Sequence, residues 1–207
     1  MIKLNLGCGI SVYDGWTNYD GSPTLWLQRI NLIGPLFKFI KPNFPKEVLY
    51  GNVLTKIPHR DNSVDLIYSS HMLEHLSLID FKLAILEIYR LLKPGGVFRA
   101  VIPDLEYSIK EYIANEDPDA NSKFLNETFL GIETRPKGLL EILRSNIGNS
   151  RHLWMWDFKG LFLELEKVGF INISRAFFQD SRIEDFKDVE DYDRWNNCLG
   201  FECQKPL

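Results

Sequence analysis

The segment from residue 64 to residue 102 constrains the fold more than any other part of the sequence. Residues 64–69 (VDLIYS) form a short apolar run, which is typical of a buried strand. Apolar residues then recur at intervals of three and four, as in an amphipathic helix. They are Leu78, Phe81, Ile85, Ile88 and Leu92, and Ser77 with Asp80 is typical of a capping box at the start of this helix. The helix is predicted to end at residues 93–96 (KPGG), and residues 97–102 (VFRAVI) form the next strand. A strand, a helix and a strand in this order predict a parallel sheet covered by helices on both faces.

The same alternation of short elements extends toward both ends of the chain. The strands predicted before residue 64 cover residues 2–6, 16–20 and 48–50. Those predicted at the other end cover residues 170–178 and 200–204, after a helix at residues 158–168 that Gly169 ends. With 207 residues, the chain is long enough for one sizeable domain. We therefore predict a single α/β domain over residues 1–207, with strands and a binding site in residues 1–104, a helical insertion or lid in 105–151, and completion of the sheet in 152–207.

Composition and charge exclude several classes of function. The formal net charge is −4, so the chain lacks the broad basic surface of nucleic-acid-binding proteins. Its three cysteines, Cys8, Cys198 and Cys203, have no metal or disulfide spacing and are interpreted as reduced thiols. The sequence begins with a predicted strand, which leaves no room for a signal peptide, and no apolar run is long enough for a membrane span. We expect a cytoplasmic protein without nucleic-acid partner or stable membrane insertion, and the oligomeric state is left open.

The turn after the first strand predicts a ligand site. The run LNLGCG places Gly7 and Gly9 where the strand ends, and a ligand can approach the backbone closely there because glycine has no side chain. A dinucleotide-binding motif would have a third glycine at the position of Val12, so a dinucleotide is disfavoured. Asp20 ends the second strand, where its carboxylate can accept hydrogen bonds from both hydroxyls of a ribose. Asn52 follows the third strand, where its amide oxygen can accept a hydrogen bond from an adenine amine.

Four segments carry a family resemblance. They are LNLGCG (residues 4–9), GWTNYD (15–20), GNVLTKIPHRDNSVDLIYSSHMLEHL (51–76) and EIYRLLKPGGVFRAVIPDLE (87–106). In this order they resemble the class I S-adenosylmethionine-dependent methyltransferases, in particular small bacterial, methyltransferase type 11-like proteins that open directly with LNLGCG. The resemblance implies a Rossmann-like, doubly wound, mostly parallel sheet whose last strand is antiparallel, with the helical insertion after the fifth strand.

The resemblance also implies a cofactor, S-adenosylmethionine, which would leave as S-adenosylhomocysteine. Gly7 and Gly9 would pack against its methionine part, Asp20 would hold its ribose, and Asn52 with the amide of Val53 would read the adenine edge. The full set of cofactor-binding residues implied by the resemblance is Asn5, Gly7, Cys8, Gly9, Asp20, Asn52, Val53 and Ser69. Family members often have a carboxylate where this chain has Asn5 and Asn52, so two acceptors here lack the usual charge.

Methyl transfer to a hydroxyl would need a base that removes the proton of the acceptor. His152 is the first candidate, because it follows the insertion that is expected to cover the acceptor. Packing among Trp154 and Trp156 is an alternative role for this histidine. His71, just beyond the fourth strand, is the second candidate. Asp104 is the third, although it could instead cap the helix that follows it.

The expected acceptor is a small molecule, and the resemblance suggests the hydroxyl of a sugar or polysaccharide precursor. The Asn/Asp-Pro-Pro-Tyr/Phe signature of enzymes that methylate amino groups of bases is absent after the fourth strand, where residues 69–71 read SSH. Residues 24–41 mix apolar, aromatic and basic side chains. They could contact a membrane or a partner, but a helix packed on the core is the simpler interpretation.

Two rival functions remain at this level. Residues 71–75 have the spacing His-x-x-Glu-His of inverzincin zinc peptidases, which would make the chain a zinc hydrolase using His71, Glu74 and His75. Because His71 lies at a predicted strand-to-helix junction, the two histidines need not share a helical face, and no metal site is expected. The other rival is a module that binds an S-adenosyl ligand without catalysis.

Overall fold

Seven strands form one sheet in the computed structural model, which describes residues 1–30, 42–132, 134 and 151–207. The strands are β1 (Lys3–Leu6), β2 (Thr17–Asp20), β3 (Val48–Tyr50), β4 (Val64–Ser70), β5 (Leu92–Pro103), β6 (Ile171–Ala176) and β7 (Cys198–Gln204). Their spatial order is β3-β2-β1-β4-β5-β7-β6, and β1 to β5 run parallel. Strand β7 is antiparallel to both β5 and β6. The predicted fold class, a doubly wound and mostly parallel sheet with an antiparallel last strand, is confirmed.

Helices lie between most of the strands, but among the described residues none separates β1 from β2 or β3 from β4. They are α1 (Pro23–Arg29), α2 (Leu78–Leu91), α3 (Leu105–Ala114), α4 (Ala120–Glu127), α5 (Phe158–Val168) and α6 (Tyr192–Trp195), with 3₁₀ turns at Leu73–His75 and Glu184–Asp188. Helices α3 and α4 follow β5, where the insertion was predicted. Most of the remainder of that insertion, and residues 31–41 of the segment assigned to core packing, lie outside the described residues.

Local sequence signals set the ends of the two long helices. The Ser77 hydroxyl accepts a hydrogen bond from the amide of Asp80 (3.2 Å) and donates one to its carboxylate (2.8 Å), so α2 begins with a side-chain cap. Gly169 ends α5 in a left-handed conformation with φ +104°. Both caps stand where the sequence predicts the helices to begin and end.

Strand β5 is longer than the sequence predicts. The strand begins at Leu92 rather than at residue 97, because residues 93–96 do not interrupt it. The amide of Gly95 donates to the carbonyl of Lys205 (3.0 Å), and the amide of Lys205 donates to the carbonyl of Gly96 (2.9 Å). The residue after β7, Lys205, thus continues the hydrogen-bond ladder along β5. The Pro-Gly-Gly sequence at this point would by itself predict a turn.

The two faces of the sheet are covered in different ways. One face packs against α2 and α5, and its buried side chains include Leu6, Ile67 and Phe98. The other face carries Tyr68 of β4, Trp16 just before β2, and Phe186 and Trp195 from the segment between β6 and β7.

That segment, residues 177–197, also closes over a buried charge. The side chain of Arg99 is 1% exposed and forms ion pairs with Glu190, Asp180 (2.8 Å) and Glu202 (3.1 Å). Its guanidinium also lies 4.6 Å from the ring centroid of Trp195. The acidic character of residues 180–194, which predicts an exposed loop, therefore comes in part from carboxylates that neutralise Arg99 in the interior.

Candidate active site

The carboxyl ends of β1 and β2 meet at one edge of the sheet, and glycines shape the backbone there. Gly7 and Gly9 both have positive φ, +68° and +57°. A Cβ atom on Gly7 would overlap the side chain of Met72, whereas one on Gly9 would meet nothing within 4 Å among the described residues. Gly7 is therefore needed for close packing, and the space beside Gly9 is open to a ligand.

Asp20 is held in place by this glycine turn. Its Oδ2 accepts a hydrogen bond from the amide of Gly9 (2.9 Å), and its Oδ1 accepts one from the amide of Ser22 (2.8 Å). Burial raises the pKa of Asp20, and the two backbone hydrogen bonds oppose that rise. A carboxylate has about four lone-pair sites, so about two remain for a ligand.

A cavity of about 260 Å³ opens beside Asp20. Its wall is formed by Gly7, Asp20, Gly21, Ser22, Pro23, Gly51, Asn52, Val53, Leu54, Met72, His75, Leu76, Asp80 and Leu153. The Oδ1 atom of Asn52 accepts a hydrogen bond from the amide of Leu54 (2.8 Å), which fixes the loop after β3. The cavity thus has a polar part at Asp20 and Asn52 and an apolar part at Val53, Leu76 and Leu153. Mostly apolar walls with a few placed polar groups are typical of small-molecule sites.

Four of the eight sequence-predicted cofactor residues line this cavity: Gly7, Asp20, Asn52 and Val53. Gly9 does not line the cavity, but its amide donates a hydrogen bond to Asp20. The other three side chains are elsewhere: Asn5 donates to the Oδ1 of Asn18 (3.1 Å), Cys8 is buried, and Ser69 is fully buried in β4. Burial raises the pKa of Cys8 to about 12, so its thiol is protonated at neutral pH.

His71 has both ring nitrogens engaged. Its backbone has a positive φ of +51°, its Nε2 donates to the carbonyl of Arg194 (2.8 Å), and its Nδ1 lies 3.2 Å from Oε1 of Glu74. Burial lowers the pKa of His71, but contacts with Cys198 and Glu74 outweigh burial and raise it to about 10. The ring is therefore an imidazolium at neutral pH, a form that can donate protons but cannot accept one.

His152 lies in a cluster that follows the insertion. Its ring packs against those of His75 (centroids 5.1 Å apart) and Phe129 (5.0 Å), and its Nε2 lies 4.0 Å from Oε1 of Glu74. These contacts differ from the predicted alternative, packing among Trp154 and Trp156. Burial lowers the pKa of His152, although Glu74 opposes this effect, so the ring is neutral at neutral pH.

Asp104 caps a helix, as its alternative interpretation predicts. Its Oδ1 accepts hydrogen bonds from the amides of Glu106 (2.8 Å) and Tyr107 (3.4 Å) at the start of α3. Its Oδ2 accepts one from Arg175 (3.3 Å). With both oxygens bonded to protein groups, Asp104 is less suited than His152 to take a proton from a ligand.

The His-x-x-Glu-His spacing does not form a helical metal motif. Residues Leu73–His75 are a single 3₁₀ turn, and His71 contacts the carbonyl of Arg194 on a different part of the chain. The turn instead binds the segment after the insertion, because the Glu74 carbonyl accepts from the amides of Leu153 (2.8 Å) and Trp154 (3.2 Å). This link brings Leu153 into the cavity wall.

Comparison with known protein families identifies the fold and its chemistry. Residues 4–100 match the family described as methyltransferase domain, over the strands and glycine turn that form the cavity. Residues 4–100 therefore belong to an S-adenosylmethionine-dependent methyltransferase domain. The predicted recognition, enzyme class and cofactor are therefore confirmed. Comparison with curated protein sequences gives no significant match.

Solved structures share the fold of this methyltransferase at low sequence identity. A putative methyltransferase of Haloferax volcanii, crystallised with the Trm112 methyltransferase activator, is 17% identical with a TM-score of 0.51, over 100% of this chain and 83% of the other. A possible exported protein of Bordetella parapertussis is 12% identical with a TM-score of 0.53, over 100% and 62%. Phosphoethanolamine N-methyltransferase 2 of Haemonchus contortus, in complex with S-adenosylmethionine, is 15% identical with a TM-score of 0.50, over 100% and 49%.

Some residues of the methyltransferase site were missed in the sequence. Met72, His75 and Leu153 line the cavity, and only folding brings Leu153 into the same cavity wall as Gly7. Among the described residues, no helix combines the length and apolarity needed to cross a bilayer.

Proposed function

We propose that this methyltransferase methylates a hydroxyl group of a small polar acceptor. Cofactor binding is supported by the 260 Å³ cavity, in which a buried carboxylate, Asp20, retains free lone pairs beside an open glycine turn. The choice of a hydroxyl acceptor rests on the neutral ring of His152, which can accept a proton. This lining fits the adenosine part of S-adenosylmethionine, because it combines an acceptor for two hydroxyls with apolar side chains. When bound, the cofactor supplies a methyl group on a sulfonium, which is already an activated donor.

The residues around the cavity have separable tasks. Asp20 would accept from the ribose hydroxyls, and Asn52 with Val53 would border the adenine, as the resemblance implies. Gly7 keeps the backbone close to the ligand. Asn5, Cys8 and Ser69 would contribute through backbone position rather than through side-chain contacts, since their side chains lie outside the cavity wall.

His152 is the group best suited to remove the proton of a hydroxyl acceptor. Its ring is neutral at neutral pH, and it packs on His75, which lines the cavity. His71, as an imidazolium, would position the turn after β4 through Arg194 and Glu74. Asp104 would stabilise the start of α3.

The described part of the insertion supports a polar acceptor. A second cavity, of about 450 Å³, lies between α3 and α4. Tyr107, Lys123 and Asn197 are among the residues that line it, and Tyr112 packs on Phe124 with ring centroids 5.4 Å apart. Hydrogen-bonding side chains beside an aromatic pair suit the alternating polar edges and apolar faces of a sugar. A sugar hydroxyl therefore remains our proposal for the acceptor, in a cytoplasmic enzyme without nucleic-acid substrate.

A screen of acceptors tests this proposal. Purified enzyme would be incubated with S-adenosylmethionine and panels of sugars, amines and thiols, and release of S-adenosylhomocysteine would be measured. We expect turnover with a hydroxyl acceptor, and a decrease in kcat of at least about 100-fold in His152→Gln if this ring handles the proton. His59→Gln is the matched control, because His59 lies against Tyr19, away from this cluster. Turnover with amines alone would refute the hydroxyl assignment.

A further inference from the structure

Glu74 is buried without adequate hydrogen bonding. Its side chain is 1% exposed, and neither carboxylate oxygen has a hydrogen-bond partner among the described residues. The nearest cationic group is the ring of His71, whose Nδ1 lies at 3.2 Å without hydrogen-bond geometry. A buried carboxylate normally accepts several hydrogen bonds or binds a metal, so the single ion pair with His71 leaves acceptor positions of Glu74 open to a ligand.

His75 presents a lone pair to this carboxylate. Its Nδ1 lies 2.8 Å from the carbonyl oxygen of Arg151, and a carbonyl can only accept, so the proton of the ring is on Nδ1. The unprotonated Nε2 then lies 4.0 Å from Oε1 of Glu74. A histidine that donates one ring N–H to a backbone carbonyl and directs the other nitrogen to a shared point is typical of metal ligands.

His152 completes the group from the far side of the insertion. Its side chain is 8% exposed, and its Nε2 also lies 4.0 Å from Oε1 of Glu74. One donor atom from each of Glu74, His75 and His152 lies within 4.8 Å of the other two. Metal–ligand bonds of about 2.0–2.2 Å place neighbouring donor atoms about 3–3.5 Å apart. Small side-chain rotations would therefore bring the three donors into coordination distance.

We propose that Glu74, His75 and His152 bind a divalent transition-metal ion at the border of the cofactor cavity. Two imidazoles and one carboxylate suit Zn²⁺, Co²⁺, Mn²⁺ or Fe²⁺, whereas Mg²⁺ and Ca²⁺ prefer oxygen ligands. The set differs from the predicted zinc-peptidase triad, because His152 replaces His71. His75 lines the 260 Å³ cavity, which gives the ion an entry path.

Three protein ligands leave at least one coordination position open. A hydroxyl of the acceptor bound there would lose its proton to solvent water more readily, because a coordinated dication lowers the pKa of a bound oxygen. His152 would then act on the acceptor through the ion rather than accept the proton itself. This extension rests on the proposed function, whereas metal binding does not.

Metal titration of the purified full-length protein tests the site. After removal of metal with a chelator, the protein would be titrated with Zn²⁺ by calorimetry and with Co²⁺ by visible absorption, which reports the coordination geometry. We expect one equivalent of metal, and at least tenfold weaker binding in Glu74→Gln and in His152→Ala. His59→Ala, which removes a histidine outside the group, is the matched control and should bind like the wild type. Circular dichroism of each variant would verify the fold.

Two results would overturn the proposal. One is the absence of stoichiometric binding by the wild type, in which case His71 alone balances the charge of Glu74. The other is equal binding by the wild type and by both site variants in a folded state. The metal test is independent of the cofactor. Metal binding without S-adenosylhomocysteine binding would refute the proposed function only. Binding of S-adenosylhomocysteine without metal binding would refute the metal site only.

Discussion

Replacement of Asp20 by asparagine should weaken cofactor binding by an amount that the structure defines. Each oxygen of the carboxylate accepts one backbone hydrogen bond, from Gly9 at 2.9 Å and from Ser22 at 2.8 Å. Asparagine has one oxygen, so an NH₂ group must face one of these amides whichever way the side chain is turned. The same group can no longer accept from a ribose hydroxyl. A hydrogen bond to a charged group contributes about 1.5–3 kcal/mol, which corresponds to a rise in Kd of roughly 10- to 150-fold.

The assay is calorimetric titration of wild type and Asp20→Asn with S-adenosylhomocysteine. The stability of the variant should fall by less than about 2 kcal/mol, because loss of a buried charge offsets the lost backbone hydrogen bond. Asp14→Asn is the control, since Asp14 is an exposed carboxylate on the same connection. A Kd for folded Asp20→Asn within twofold of the wild-type value would refute the assignment of Asp20 to the ribose.

Two further predictions concern packing and buried charge. Gly7→Ala should lower the free energy of unfolding by about 2–4 kcal/mol, because it combines left-handed backbone strain with overlap of the Met72 side chain. Gly9→Ala should lower it by only about 1–2 kcal/mol, because the strain is its only cost. Urea denaturation would measure the free energy of unfolding of both variants, and an equal decrease in the two would contradict the packing argument. Glu190→Gln should cost about 3–5 kcal/mol, since it leaves Arg99 without its fully buried partner, while Glu202→Gln, on a side chain 27% exposed, should cost less than about 1 kcal/mol. Similar values for both glutamate variants would show that Arg99 is neutralised by the group as a whole.

The helices and strands, and the glycine turn that borders the cavity, could be predicted because their signals are local. The apolar spacing of α2, the cap at Ser77 and the left-handed glycine after α5 each act within a few residues. The doubly wound, mostly parallel sheet with an antiparallel last strand was implied by the family resemblance, since the pairing of distant strands leaves little trace in one sequence. The same locality explains the error in β5, whose first residues depend on hydrogen bonds to Lys205.

The site beyond the cofactor edge depends on long-range contacts that local sequence patterns do not contain. His71 contacts the carbonyl of Arg194, 123 positions away, and this contact helps to keep its ring protonated. His152 reaches Glu74 only because the backbone of the turn after β4 binds residues that follow the insertion. The His-x-x-Glu-His spacing therefore indicated where polar residues cluster, but it could not show that His152, far along the chain, also lies beside Glu74.

Thermal unfolding with added ligands tests the central claim most directly. A ligand that binds only the folded state at 100 times its Kd stabilises it by about 2.7 kcal/mol, which raises the Tm of a protein of this size by about 5–10 °C. We predict this rise with S-adenosylmethionine and with S-adenosylhomocysteine, and no rise with NAD, for which the glycine turn lacks the third glycine. An unchanged Tm with both S-adenosyl compounds would contradict the account.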